Sequence, residues 1–262
     1  MGCRRPTGPR LSLAVLPWSG SADAARPRGG YGTAAGTPAA TLCTMSDVAI
    51  LPRPFRPANC MEAAPRPAAL TALRHATAAS HGAIESLLRL DAQIDPDRYA
   101  AILCGFDVFL SAWEPAVMAA LPERLQGGFM GRSRRAFLHQ DLGTLGLERT
   151  TAAAAAALPN LPSRAAAFGS MYVIEGSALG GQVIARQLAG RFGEGKGTGS
   201  AYFLGWGDLT GRMWREFREQ LEIEVGTDPV DLEAACVAAV QTFDALASTV
   251  RARLDEPLVL AA

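Results

Sequence analysis

The 262-residue sequence lacks the cysteine pattern of a disulfide scaffold or of a thiolate zinc site. Its five cysteines are scattered along the chain and form no C-x-x-C pair. Net charge is absent too, because 25 basic residues balance 25 acidic ones, so no overall field favours nucleic acid or an anionic membrane surface. The scattered cysteines predict a protein of a reducing compartment, and we expect the cytoplasm.

Long hydrophobic runs are also missing. The longest ones, such as Ala165 to Ile174, reach about half of the roughly 20 residues that a membrane-spanning helix needs. We therefore expect no membrane partner. Hydrophobic residues nevertheless make up 49% of the chain, which is ample for a packed core.

The first sixty residues differ from the rest of the chain. They are rich in Pro, Gly, Ala, Ser and Thr, carry acids only at Asp23 and Asp47, and show no helical or strand period. We predict a disordered extension over residues 1–62 and one ordered domain over residues 63–262. Two explanations of the extension remain open: a segment that loosely imitates a signal or transit peptide, or translation that begins downstream at Met45 or Met61.

From Pro67 onward, apolar residues recur three and four positions apart, and proline and glycine stand where helices would end. No segment alternates convincingly enough to form a sheet. The pattern predicts an all-α, single-domain bundle of about six helices. Their approximate ranges are 68–89, 96–121 with a kink or break at Pro115, 133–146, 163–191, 209–224 and 229–254.

The chain has three histidines, His75, His81 and His139. The first two are six residues apart on one helix and face different directions, so they cannot chelate one metal ion. His81 lies on the apolar face, and Glu85 follows one turn later, near enough to orient the imidazole. By itself such a histidine is more often a core residue than a ligand. His139 has no better neighbour in the sequence than Asp141.

One predicted helix contains an unusual number of glycines. Gly169, Gly176 and Gly180 fall within roughly 40° of one another on its surface. Together with Gly181 they cost about 4 kcal/mol relative to alanine if all are helical. Two explanations remain open at this point: a close crossing with another helix, or a flat ligand lying directly on the backbone.

Two stretches of the sequence resemble the heme oxygenase family, especially the bacterial members that make biliverdin for bacteriophytochromes. "LRHATAASHGAIE", Leu73 to Glu85, resembles the proximal helix, with the axial histidine at His81. "YVIEGSALGGQVI", Tyr172 to Ile184, resembles the distal helix. Weaker similarity is found in "RYAAILCGF", "RRAFLHQDLGTLG" and "WREF".

The resemblance implies that heme is both substrate and cofactor. Heme would be cleaved by O₂ and electrons from an external donor, such as a ferredoxin or a reductase, to biliverdin, CO and ferrous iron. A bacteriophytochrome could receive the biliverdin. The implied metal ligand is His81, and the implied catalytic residues are Gly176, Ser177 and Gly180. The implied heme-binding residues are Arg74, Thr77, His81, Glu85, Gly176, Gly180, Gly181 and Arg215.

Ser177 occupies the place where animal members of the family carry an aspartate that organises distal water. Its part in proton transfer is therefore open. Two other functions are compatible with the same residues: a non-catalytic heme-binding or carrier protein on this fold, and a helical interaction module in which His81 belongs to the core and the glycines form a packing seam.

Overall fold

The computed structural model describes residues 68–90, 93–149, 158–192 and 197–256. Within these ranges the chain is helical and contains no β-strand, which confirms the predicted all-α fold. The predictions made for residues 1–62 lie outside the described residues. The α-helices are α1 (Ala68–Leu88), α2 (Pro96–Ala120), α3 (Glu123–Met130), α4 (Arg135–Thr144), α5 (Arg164–Phe192), α6 (Ala201–Leu204), α7 (Thr210–Val225) and α8 (Pro229–Asp255).

Two helices begin with the same aspartate and proline pair. Asp95 accepts hydrogen bonds from the backbone at the start of α2, and Pro96 occupies the first turn. Asp228 and Pro229 repeat this arrangement at α8. The carboxylate satisfies backbone N–H groups that have no partner inside the helix, and proline has no N–H to lose there. The sequence predicts both starts correctly.

The structure departs from the predicted helices in two respects. Helix α2 continues through Pro115 to Ala120, so no break occurs there. Trp113 and Val117 are both buried, and this packing holds the chain in the helix on either side of the proline. The short helices α3 and α6 and a 3₁₀ turn at Gly207–Leu209 were not predicted, because each is too short to show a hydrophobic period.

Helix α2 is long and apolar enough to cross a membrane by length and composition. A search for uninterrupted apolar runs does not detect this helix, because Asp107 and Ser111 interrupt its apolar residues. In the structure, 61% of its most apolar window is buried inside the protein. Such burial is typical of a helix that forms the core of a bundle.

Helix α8 forms the centre of the bundle, packing against α1, α2 and α5. The crossings are close because they involve glycine: a Cβ on Gly105 would lie 2.9 Å from the Val250 backbone. A buried hydrogen-bond network joins the same helices. Trp113 of α2 donates to Ser170 of α5 at 2.7 Å, and Ser170 is 2.7 Å from Thr242 of α8.

The start of α1 is fixed by a side chain from α7. The carboxylate of Glu222 accepts hydrogen bonds from the backbone N–H groups of Ala69, at 3.1 Å, and Leu70, at 2.8 Å. A carboxylate at this position also interacts favourably with the positive end of the helix dipole. The contact sets the position of α1, which carries His81, relative to α7.

Candidate functional site

His81 lies on α1, half-buried, with 34% of its side chain exposed. Its ring meets the ring of Phe243 on α8 edge to face, with 6.0 Å between centroids. The Nδ1 atom is 3.6 Å from the Oε2 atom of Glu85, one turn further along the helix. The predicted proximity of Glu85 to the imidazole is confirmed, and its charge acts on Nδ1 from a distance longer than a hydrogen bond.

Thr77, one turn before His81, is buried between α1 and α5. Its hydroxyl donates to the Leu73 carbonyl at 2.7 Å. Burial raises the pKa of the Tyr172 hydroxyl on α5, while a hydrogen bond with Thr77 and the nearby Arg74 cation act in the opposite direction. Thr77 therefore connects α1 to α5, and Arg74 lies close to the connection.

Several guanidinium nitrogen atoms near the contact between Thr77 and Tyr172 have no hydrogen-bond partner within the described residues. The ring of Trp214 on α7 lies 6.0 Å from that of Tyr172, and the guanidinium of Arg218 lies 5.9 Å from the Trp214 ring centroid. Within the described part of the chain, Nε and Nη2 of Arg74 and Nε of Arg218 are buried and make no hydrogen bond. By contrast, Arg215 is exposed. Buried N–H groups without acceptors are costly, so these atoms are candidates for contact with an anionic ligand.

Two of the glycines of α5 are required by packing. A Cβ on Gly169 would lie 2.0 Å from the carbonyl oxygen of Ala235 on α8. A Cβ on Gly181 would lie 2.6 Å from the carbonyl oxygen of Phe203 in α6. Both distances are shorter than real Cβ atoms allow, and the obstacle is backbone, which cannot move aside cheaply. The helix-crossing explanation therefore holds for Gly169 and Gly181.

Gly180 is different, because a Cβ at this position would meet nothing within 4 Å. It is exposed, as is Ser177 one turn earlier, while Gly176 is buried. Packing within the described residues gives no reason for glycine at position 180. An interior glycine costs about 1 kcal/mol relative to alanine. A helix crossing therefore does not explain Gly180 within the described residues, and the ligand explanation stays a prediction at this position.

Ser177 is held by a buried arginine that the sequence did not single out. Its Oγ atom donates to the Ile174 carbonyl at 2.7 Å and accepts from Nη2 of Arg134 at 2.7 Å. Arg134 directly precedes α4, is 5% exposed, and also donates to the Ile174 carbonyl at 2.7 Å. Its guanidinium lies 4.7 Å from the centroid of the Tyr202 ring.

An ion pair next to this group ties α5 to the segment between α3 and α4. Nε and Nη2 of Arg132 donate to the two carboxylate oxygens of Glu175, each at 2.9 Å. Both side chains are mostly buried, and Arg132 also donates to the Met213 carbonyl at 2.5 Å. A paired-oxygen contact of this kind fixes geometry as well as contributing energy. It holds α5 rigidly just before Gly176.

His139 does not pair with Asp141, its nearest acid in the sequence. Nε2 of His139 is 3.0 Å from Oδ1 of the buried Asp107 on α2. Asp141 instead accepts hydrogen bonds from the backbone N–H groups of Ala201 and Tyr202, each at 2.8 Å, at the start of α6. His139 and Asp141 cannot pair because they are two residues apart on α4, so their side chains face different directions.

Comparison with known proteins identifies the family of the chain. No family model matches the chain. A curated heme oxygenase from Xanthomonas campestris pv. campestris (strain 8004) is 38% identical to it over 132 residues, which cover 49% of this chain and 74% of the relative. The chain belongs to the heme oxygenase family. The resemblance carried by the motifs on α1 and α5 is thereby confirmed at the level of the family.

In this heme oxygenase family member, the residues singled out in the sequence fall into two groups. Arg74, Thr77, His81 and Glu85 follow one another along α1, and Thr77 is joined to α5 through Tyr172. Gly176, Ser177, Gly180 and Gly181 lie in the middle of α5.

Sequence reasoning missed Arg134 altogether and named Arg215, not Arg218, among the heme-binding residues. The motif "RRAFLHQDLGTLG" contains Arg134, but arginines are mostly exposed, so nothing in the sequence marks this one as buried. No sequence signal distinguishes Arg218 from Arg215. The difference depends on how α7 packs in the bundle, which places Arg218 near the ring of Trp214 on the same helix.

Proposed function

We propose that this protein is an enzyme that binds heme between α1 and α5 and cleaves it to biliverdin, CO and ferrous iron. The observation that carries the proposal is a match of chemistry. The chain, a member of the family, has a half-exposed histidine on α1, buried guanidinium nitrogens without partners on Arg74 and Arg218, and an exposed glycine on α5 with open space beside it. Heme matches each of these features: its iron suits the histidine, its two carboxylates suit the guanidinium nitrogens, and its flat ring suits the open space beside the glycine.

His81 is the residue that we assign to the iron. Nδ1 faces Glu85, so we assign the iron bond to Nε2. A ligating histidine is a neutral imidazole, and a carboxylate near its other nitrogen orients the ring and makes it a stronger donor. The edge-to-face contact with Phe243 restricts the rotation of the ring.

The heme propionates would be bound by Arg74 and Arg218. The buried N–H groups of these two side chains have no acceptor within the described residues, and a carboxylate supplies one. We prefer Arg218 to Arg215, because Arg215 is exposed whereas Nε of Arg218 is buried without a partner within the described residues. Arg74 is near Tyr172, the Tyr172 ring is near the Trp214 ring, and Arg218 lies near the Trp214 ring. The two aromatic rings would pack against the edge of the ligand.

On the other side of the ligand, Gly180 would let the backbone of α5 approach closely, with Gly176 one turn before it. Bound heme supplies the oxidising chemistry itself, with O₂ and electrons from an external donor, and the macrocycle opens at a meso carbon. The protein residues bind the ligand and exclude other orientations of it. Ser177 holds a hydrogen-bonding oxygen on the same side, near Gly180.

The partners of this reaction are proposed on the basis of the same family resemblance. We propose a ferredoxin or a reductase as the electron donor, and a bacteriophytochrome as a receiver of the biliverdin. The even balance of charges and the scattered cysteines favour a cytoplasmic location without nucleic-acid or membrane partners.

Aerobic turnover tests the proposal. The purified protein is titrated with hemin until its Soret band saturates, and ascorbate or a reduced ferredoxin is then added in air. We expect the Soret band to be replaced by the broad red absorption of biliverdin, with CO released in step. Saturable binding without biliverdin would instead identify a heme carrier, and the absence of saturable binding would favour the helical interaction module.

A further inference from the structure

Ser177 is set up as a hydrogen-bond acceptor by its surroundings. A hydroxyl has one proton to donate and two lone pairs to accept with. The proton of Ser177 is used by the Ile174 carbonyl at 2.7 Å, and one lone pair is used by Nη2 of Arg134 at 2.7 Å. One lone pair is left on the exposed side of α5. A water molecule that binds there must donate a hydrogen to Ser177.

Arg134 holds Ser177 in this arrangement, because it is buried, makes two hydrogen bonds and keeps its charge. A guanidinium stays protonated at every physiological pH. Arg134 is almost completely buried, donates to both Ile174 and Ser177, and stacks its cation 4.7 Å from the Tyr202 ring centroid. If the serine proton turned outward, Ser177 would lose its hydrogen bond to Ile174 and place a lone pair against that carbonyl oxygen.

Space for water exists beside the arginine. Arg134 and Tyr202 line a small cavity with room for about one water molecule. The Tyr202 hydroxyl is buried and has no hydrogen-bond partner within the described residues. A buried hydroxyl in such a position usually binds an ordered water. The surroundings of Arg134 can therefore hold a water molecule as well as the guanidinium cation.

We propose that Arg134 is a positioning residue for proton supply on the α5 side of the ligand. It makes Ser177 an acceptor for one hydrogen of a water, whose second hydrogen then points away from the serine, toward the open space beside Gly180. The Arg134 cation also lowers the pKa of that water and so makes it a better proton donor. This inference rests on the proposed heme cleavage, since it assigns the protons that the reaction consumes.

Four variants test the proposal. Arg134→Met removes the cation, Arg134→Lys keeps the charge without both hydrogen bonds, and Ser177→Ala removes the acceptor. Arg135→Met is the matched control, because it removes the neighbouring guanidinium, which pairs with Glu114 rather than with α5. Hemin affinity, biliverdin formation and the pH midpoint of the visible-spectrum transition of the ferric complex are measured for each variant.

We expect Arg134→Met to bind hemin within a few fold of wild type but to form biliverdin roughly 10- to 100-fold more slowly. Its spectral midpoint should rise by about one pH unit, since a nearby cation favours the deprotonated form of a water. Arg134→Lys should restore most of the midpoint and part of the rate. Ser177→Ala should slow biliverdin formation similarly, and the double variant should be no slower than either single variant, because both act on one water.

Unchanged rate and midpoint in Arg134→Met, or fully additive losses in the double variant, would overturn the proposal. If Arg134→Met does not fold, Ser177→Ala decides the matter, because this small exposed side chain can be removed without disturbing the core; an unchanged rate in Ser177→Ala overturns the proposal. Absence of heme cleavage by the wild-type protein would contradict the proposed function itself, and the inference would fall with it.

Discussion

The Nδ1 atom of His81 lies 3.6 Å from the Oε2 atom of Glu85, on adjacent turns of α1. The carboxylate is more exposed than the imidazole, with 59% of its side chain open to solvent. Water therefore screens their interaction, and Glu85 influences the histidine without being essential to the fold. Under the proposed assignment, Nδ1 faces this carboxylate and Nε2 is the nitrogen that binds iron.

Replacing Glu85 with glutamine should weaken the donor strength of His81. The neutral amide keeps the size of the side chain but removes the negative charge beside Nδ1. We expect hemin affinity to fall by about tenfold or less, and the reduction potential of the bound heme to rise. A hemin titration and a spectroelectrochemical titration measure the two effects. An unchanged potential would show that Glu85 does not act on the ligand.

Arg74→Met and Arg218→Met should weaken heme binding while stabilising the protein without heme. Each substitution removes a buried N–H group that has no partner until a carboxylate arrives. We expect hemin affinity to fall by roughly 10- to 100-fold, the size of a lost hydrogen bond between charged groups. The melting temperature of the heme-free protein should rise.

Arg215→Met is the matched control for these variants, because Arg215 is on the same helix as Arg218 but exposed. It should change hemin affinity only slightly. If it weakens binding more than Arg218→Met does, the assignment of Arg218 to a propionate is wrong. Hemin dimethyl ester, which has no free carboxylates, should bind wild type and the arginine variants alike.

The glycines of α5 should separate into two classes when each is changed to alanine. Gly169→Ala and Gly181→Ala should destabilise the protein by several degrees or prevent folding, because the new methyl group meets the backbone of Ala235 or Phe203. Gly180→Ala should instead raise the melting temperature of the heme-free protein, since alanine favours the helix by about 1 kcal/mol.

The same Gly180→Ala variant should bind hemin more weakly and cleave it more slowly than wild type. Its methyl group occupies space that the described residues leave open for a ligand. Thermal unfolding and hemin titration on one preparation give both numbers. Unchanged binding and turnover in Gly180→Ala would show that the ligand does not approach α5 at this glycine.

Glu114 should make the protein less stable as the pH rises. Burial raises the pKa of its carboxyl group, against the lowering effects of the Ser133 hydrogen bond and the Arg135 charge. The folded state thus holds this proton more tightly than the unfolded chain, so stability is lost as pH rises from the ordinary carboxyl pKa through the raised folded value.

Glu114→Gln cannot ionise and should escape this loss. Between about pH 4 and about pH 7, the melting temperature of Glu114→Gln relative to wild type should therefore increase. Glu123→Gln, on an exposed side chain, serves as the control and should follow the wild-type curve. Parallel curves for Glu114→Gln and wild type would show that the buried carboxyl group does not titrate in this range.

The main helices were predictable because their signals are local. The apolar period of α1, the aspartate and proline pairs before α2 and α8, and the length of α5 are all present in short stretches of sequence. The break expected at Pro115 did not occur, because burial on both sides of the proline outweighs the missing hydrogen bond.

The polar surroundings of the site were not predictable, because they depend on contacts between distant parts of the chain. Arg134 reaches Ser177, 43 residues away, and Glu222 caps α1 from 152 residues away. Likewise, the sequence could not say which glycines serve packing and which face open space, since Gly180 and Gly181 are adjacent and differ only in what approaches them.

The most direct test of the account is the Soret spectrum of the hemin complex, compared among wild type, His81→Ala and His75→Ala. The last variant is the matched control, because His75 is on the same helix but exposed to solvent. We predict a saturable Soret band, characteristic of histidine ligation, in wild type and His75→Ala, and its loss or strong shift in His81→Ala, with recovery on adding imidazole. An unaltered spectrum in His81→Ala would contradict the assignment of His81 to the iron.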